Sequence, residues 1–97
     1  MKIINLDKYG PIISDKAVGD EIYYSLKKAL SSNSSIEIDL IKIHSMATFC
    51  AKQIFGKLYI ELGSSAFFEK IILKNATNDL KTIIQIGVQD ALDENNR

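Results

Sequence analysis

The segment Ile36-Glu37-Ile38-Asp39-Leu40-Ile41-Lys42-Ile43 restricts the possible folds of this chain more than any other. It opens in strict apolar–polar alternation and closes nearly continuous in aliphatics, the pattern of a strand largely buried in a sheet. Just beyond it the period changes. Met46, Phe49, Cys50, Ile54, Leu58 and Leu62 recur on one face of a helix spanning about 47–62, and Gly63 stands where that helix should end. A buried strand delivered directly into a helix is the unit of α/β folds, so the rest of the chain is read around this junction.

Upstream, Lys2–Leu6 is short and β-branched and reads as a strand. Tyr9-Gly10-Pro11 signals a turn before the apolar pair Ile12-Ile13, a second short strand. Ala17, Val18, Ile22, Leu26, Ala29 and Leu30 then share one face of a helix over about 15–31, with Ser14 expected as its N-cap. Asp15, Asp20 and Glu21 suit the positive end of that helix, and Ser31–Ser35 is a polar loop. Tyr23 and Tyr24 are adjacent, so one ring must face outward. Downstream, Ser64-Ser65-Ala66 reads as a turn, Phe67–Leu73 as a strand and Asn75-Ala76-Thr77 as a second turn. A third helix turns Leu80, Ile83, Ile84, Gly87, Val88, Ala91 and Leu92 inward, with Thr77 as its cap, and 93–97 is left as a polar tail. Strands joined by helical crossovers predict a small α/β sandwich. It has a mixed, mostly parallel sheet of about four strands, three helices, and room for one bare sheet face. At 97 residues the chain is expected to form one domain.

Charge and motif content remove several functions. Twelve basic residues balance twelve acidic ones, and 11 of the basic residues are Lys, which argues against a dedicated nucleic-acid binder. The five glycines at 10, 19, 56, 63 and 87 are scattered and form no phosphate-binding loop. Charge interrupts the first apolar run too early for a signal peptide, and no stretch approaches a membrane span. No His/Cys spacing suggests a metal, no cofactor is expected, and the single cysteine suits a reducing, cytoplasmic setting. His44 and Cys50 are close enough in sequence to suggest a thiolate pair, but Cys50 falls on the apolar helix face, where a thiol is inert. An enzyme is therefore not expected.

The chemistry concentrates at the strand-to-helix junction, where Ser45 and Thr48 place hydroxyls near a helix start. One of the two is expected to cap the helix. A hydroxyl there is also a suitable phosphoacceptor, because free backbone N–H groups and the helix dipole tolerate a charge of about −2. Within 43–51 only His44 and the Cys50 thiol are ionisable, so a phosphate would be the largest local charge change available.

At these residues the chain resembles the STAS-like domains, relatives in pattern of the bacterial anti-sigma-factor antagonists. The resemblance rests on the alternating order of strands and helices, on Ile36-Glu37-Ile38-Asp39-Leu40 and on Ile43-His44-Ser45-Met46-Ala47-Thr48-Phe49. Gly10–Lys16 and Lys74–Leu80 are similar to the corresponding stretches of the family, so nearly the whole chain is covered. In the antagonists the loop reads Asp-Ser-Ser/Thr-Gly, and a kinase of the histidine-kinase-like ATPase fold phosphorylates the hydroxyl after the Asp. Thr48 takes the phosphoacceptor position here, with Ala47 at the Asp and Cys50 at the Gly. Thr48-Phe49 agrees with the Ser/Thr-Phe of the STAS-like subgroup.

The resemblance implies a non-catalytic regulatory module that binds a protein partner, either a histidine-kinase-like ATPase or a sigma-factor regulator. Thr48 is its switch and Ser45 the alternative acceptor. His44 and Lys52 form a contact rim, and Asn75 and Thr77 an adjoining turn. The rivals are a self-assembling structural module, pairing with another copy, as in a homodimer, through a bare sheet face or an edge strand such as Lys2–Leu6, and a small enzyme using Cys50 or His44.

Overall fold

The computed structural model describes residues 2–96. Its elements are β1 (Lys2–Asn5), a 3-10 turn (Asp7–Tyr9), β2 (Ile12–Ile13), α1 (Lys16–Ser32), β3 (Ile36–Asp39) and β4 (Ser45–Met46). There follow α2 (Thr48–Ala51), a π segment (Lys52–Gly56), α3 (Lys57–Leu62), α4 (Ser64–Lys70), β5 (Ile71–Lys74) and α5 (Asn78–Asn95). β1, β3 and β5 form a three-stranded sheet in the order β1-β3-β5, and every pairing is parallel. β2 and β4 form a separate parallel pair. The mostly parallel α/β architecture is thus as expected, with five strands in two sheets rather than about four in one.

Both crossovers step across the three-stranded sheet in the same direction, so right-handedness sends their helices to one face. The register aligns Ile4, Ile38 and Leu73 in one row, flanked by Ile36 and Ile71. Ile36 and Ile38 are fully buried, which identifies this as the helix-covered face. The alternate row Ile3, Glu37 and Ile72 points the other way, and Ile3 is 64% exposed.

The sheet is shorter than the aliphatic run suggests. β3 stops at Asp39 because the Asp39 carboxylate accepts from the Ile41 N–H at 3.0 Å, and the Ile43 N–H bonds back to the Leu40 carbonyl at 3.0 Å. An aspartate that bonds the backbone two residues on favours a turn over a ladder. Leu40 and Ile43 stay buried while Ile41 is thrown outward. The chain then resumes as β4, with Ile12 opposite Ser45 and Ile13 opposite Met46.

α1 begins one residue later than expected, and its cap is Asp15 rather than Ser14. The Asp15 carboxylate accepts from the N–H groups of Ala17 (2.7 Å) and Val18 (3.3 Å), where its charge also meets the positive helix end. Gly19, Ile22, Tyr23 and Leu26 form the buried stripe, Ala17 is exposed, and Tyr24 takes the outward tyrosine position.

The helical backbone continues without a break from Thr48 to Leu62, but Lys52–Gly56 is π-helical. A π turn holds more residues than an α turn. Cys50, Ala51, Ile54, Phe55, Gly56 and Leu58 can therefore all lie buried, while Phe49 is rotated out to 52% exposure instead of joining the core. Burial of Ile54 or Phe55 is worth about 1.5–3 kcal/mol each. α5 presses directly on this segment. A Cβ on Gly56 would stand 2.9 Å from the Gly87 carbonyl oxygen, so two helix backbones meet here almost without side chains between them.

Gly63 ends α3 as anticipated, at φ +83°. The next residues do not form a turn and a long strand. Ser64–Lys70 is the helix α4, which leaves β5 only Ile71–Lys74. An aromatic pair suggests a strand on local preference. Here packing overrides it, because the buried Phe67 ring lies 5.2 Å from the Tyr59 ring. α5 starts on its expected cap, the Thr77 hydroxyl accepting from the Leu80 N–H at 3.1 Å. It runs on to Asn95, so most of the predicted polar tail is helical; Arg97 lies outside the described residues.

Candidate functional site

The junction from His44 to Thr48 is braced rather than loose. The Pro11 carbonyl accepts from the N–H groups of His44 (2.8 Å) and Ser45 (3.3 Å), and the Ala47 N–H donates to the Ile13 carbonyl at 2.8 Å. Two short parallel strands therefore hold the loop against the start of the chain, and Met46 anchors it in the core. His44 is exposed, and Ser45 is half-buried within β4. Thr48 is exposed at the first position of the helix.

The expectation that a hydroxyl caps this helix is not met. The cap position belongs to Ala47, whose methyl cannot accept, and no side chain bonds the free N–H groups. The chain leaves β4 extended and turns into the helix at Ala47, so Ser45 is held in the strand and Thr48 is already inside the first turn. The Thr48 hydroxyl therefore has no structural duty as a cap.

The other residues anticipated for this surface are more committed. Lys52 forms an ion pair with Glu94 of α5. The Asn75 amide donates to the Asp39 carboxylate at 2.9 Å from a backbone at φ +62°, a conformation asparagine tolerates. Thr77 caps α5. The hydrogen bonds of Asn75 and Thr77 thus run to the end of the three-stranded sheet and to α5, not to the junction. Cys50 is fully buried, with its thiol 3.6 Å from the Asp15 carbonyl. Burial pushes the thiol's pKa up, and the Asp15 charge adds to the rise. A thiol so placed is held protonated and out of reach of solvent.

A cleft of about 810 Å³ opens beside the junction, with α2, the π segment and α3 as its floor and α1 and α5 as its walls. Phe49 lies in it, next to Thr48 in sequence. The Gln53 amide crosses to α1 and donates to the Lys16 carbonyl at 2.9 Å and the Asp20 carboxylate at 2.5 Å. It fills the space over Gly19, where any Cβ would collide with the Gln53 amide. At the far end the Glu61 carboxylate accepts from Tyr23 and from Lys27, the latter at 2.7 Å. The Lys27 ammonium, and then the Tyr23 hydroxyl, lower the pKa of Glu61. Lys57 lies 4.3 Å from the centre of the Tyr23 ring. Lys52 and Glu61 on this floor are ion-paired, with Glu94 and Lys27 respectively, and Phe49 is its large exposed apolar group.

The sequence missed Phe49 as a surface residue because helical spacing alone puts it beside Cys50; only the π segment shifts the inward set. No group of three or more His, Cys, Asp or Glu side chains among the described residues is arranged to hold a metal. No described helix is long and apolar enough to cross a membrane.

No curated protein and no solved structure matches the chain. A family model does: the STAS-like domain of unknown function (DUF4325) matches residues 18–81, from α1 through the junction to the first turn of α5. That span is about two thirds of the chain and contains β3, the braced loop and the π segment, so the chain belongs to this family of STAS-like domains.

Proposed function

We propose that the protein is a non-catalytic regulatory module that docks a protein partner through His44–Thr48 and the adjoining Phe49, with Thr48 as a phosphorylation switch. The observation that carries this reading is Thr48 itself: an exposed hydroxyl on the first turn of a helix, released from capping and set on a rigidly braced loop. Phe49 at 52% exposure and Ile12 at 59%, paired with Ser45, give the surroundings an apolar character that a partner can desolvate. A phosphate on Thr48 would place about two negative charges on a surface whose one other exposed ionisable group within 43–51 is His44, and would weaken or redirect an apolar contact. The buried, protonated Cys50 weighs against thiol chemistry. The family's resemblance to anti-sigma-factor antagonists favours a histidine-kinase-like ATPase or sigma-factor regulator as the partner. Ser45 is the less suitable acceptor, because it is half-buried in β4.

The switch is tested by incubating the protein with histidine-kinase-like ATPases of the same genome and ATP, then recording intact mass. A phosphate adduct on the wild type that disappears in Thr48→Val is the expected result. An unmodified wild type removes the switch, and an adduct that persists in Thr48→Val assigns it elsewhere.

A further inference from the structure

Lys52 stands between Thr48 and the C-terminal end of α5. Its backbone N–H donates to the Thr48 carbonyl, so the two residues are one α turn apart. Side chains at i and i+4 are neighbours on a helix, with Cβ atoms about 5–6 Å apart. The Lys52 ammonium is nevertheless paired with the Glu94 carboxylate of α5. Glu94 and Thr48 lie to opposite sides of Lys52 along the helix. A Cβ on Gly87 would meet Ala51 and Lys52, and a Cβ on Gly56 would meet Ala91, so α5 and the Thr48–Leu62 helix advance side by side in the same direction. Glu94, three residues past Ala91, is therefore level with residues beyond Gly56, whereas Thr48 is one turn before Lys52. Ile60, Ala91 and Glu94 line the same cleft as Lys52, in agreement with that register. The pair is weakly held, because the Lys52 and Glu94 side chains are 36% and 64% exposed and ion pairs in water contribute little. The flexible four-carbon stem of lysine lets the ammonium turn toward either end.

We propose that phosphorylation of Thr48 draws Lys52 away from Glu94, an inference that rests on the reading of Thr48 as phosphoacceptor and extends the effect of its modification to the end of α5. Transfer of the γ-phosphoryl group of ATP to the Thr48 oxygen, with loss of the hydroxyl proton and release of ADP, sets about two negative charges one turn from Lys52. Glu94 offers one. Thr48 and Glu94 are both exposed, so the dielectric is similar for the two attractions and the more highly charged anion prevails. Lys52 thereby joins the junction surface only in the modified protein. In the unmodified protein its ammonium is held over the cleft by Glu94, and a partner meets the neutral Thr48 hydroxyl without a cation beside it.

The test places phosphothreonine at position 48 of the whole chain during translation, so that no kinase is needed, and follows the phosphate by phosphorus NMR as a function of pH. Its second pKa is ordinarily about 6. Lys52→Gln should raise that pKa by about 0.3, the worth of one i,i+4 charge pair. Glu94→Gln should lower it, because the competitor for the ammonium is gone, and should do nothing once Lys52 is also replaced. Lys16→Gln on α1 and His44→Gln in the loop remove the other cations of the neighbourhood and should each move it less than Lys52→Gln does. Circular-dichroism melts check that every variant folds. The proposal is overturned by a phosphate pKa that is the same with and without Lys52, by a Glu94→Gln variant that leaves it unchanged, by a Glu94→Gln effect that persists without Lys52, or by a larger effect of Lys16→Gln or His44→Gln. Failure of the phosphoacceptor reading looks different: kinase and ATP leave Thr48 unmodified while the phosphorus titration still shows the Lys52 exchange.

Discussion

A Cβ placed on Gly87 of α5 would stand 2.6 Å from the backbone nitrogen of Lys52, the first residue of the π segment. The neighbouring obstacles, the carbonyl carbon and the Cβ of Ala51 at 2.7 Å each, include backbone that cannot rotate away. The helix that begins at Thr48 is therefore positioned by direct backbone contact with α5.

Gly87→Ala should consequently destabilise the protein even though alanine is the better helix former. Overpacking of this kind costs about 1–3 kcal/mol, against a propensity gain of roughly 1 kcal/mol that only partly offsets it. A thermal melt should show the midpoint lowered, by about 4–8 °C for each kcal/mol of net loss. An unchanged midpoint would mean that α5 and the π segment can separate at little cost.

Two threonines at helix starts should respond differently to the same change. Thr77→Ala removes the hydroxyl that accepts from the Leu80 N–H and should cost about 0.5–2 kcal/mol. Thr48→Ala removes no cap and should stay within about 0.5 kcal/mol of the wild type. Urea denaturation of the pair measures both. A large loss in Thr48→Ala would show that its hydroxyl is structural and so unsuited to modification.

That contrast also shows what sequence could reveal. Thr77 follows a turn and precedes a long periodic run, so its role was legible from neighbours alone. At Ser45 and Thr48 the same logic failed, because the extra pair β2–β4 depends on the meeting of Ile12-Ile13 with Ser45-Met46, residues more than thirty positions apart. The order of β1, α1, β3 and the following helix was readable because Lys2–Leu6 is β-branched and the other three are periodic in hydrophobicity. α4 was not, since Phe67 and Phe68 favour a strand locally and only the packing of Phe67 on Tyr59 decides otherwise. The π segment leaves no local signature, and with it went the exposure of Phe49.

The native protein should react slowly with a soluble aromatic disulfide reagent, at a rate set by opening of the helix rather than by the thiol. Cys50 is fully buried and its thiol pKa is raised by desolvation. Release of the chromophore should accelerate sharply in denaturant. Fast stoichiometric labelling of native protein would restore the case for a reactive cysteine.

The Glu61 cluster should leave a mark on acid stability. Lys27, then Tyr23, hold the Glu61 carboxyl below its ordinary range, so the folded state binds this proton less readily than the unfolded chain. The associated stability is present above the unfolded-state value of about 4.3 and is lost as pH falls through the lower folded value. Urea midpoints should therefore favour the wild type over Glu61→Gln at pH 6, with the gap closing in strongly acidic buffer. A gap that is constant with pH would assign the effect to packing instead of charge.

The docking claim at the junction is tested most directly by titrating isotope-labelled protein with a histidine-kinase-like ATPase of the same genome and following amide shifts by NMR. The structure-based expectation is that His44, Ser45, Thr48 and Phe49 shift together and saturably, and that Phe49→Ala weakens the association. Amides of the junction that stay unmoved while another face responds, or no response at any ATPase concentration, would contradict it.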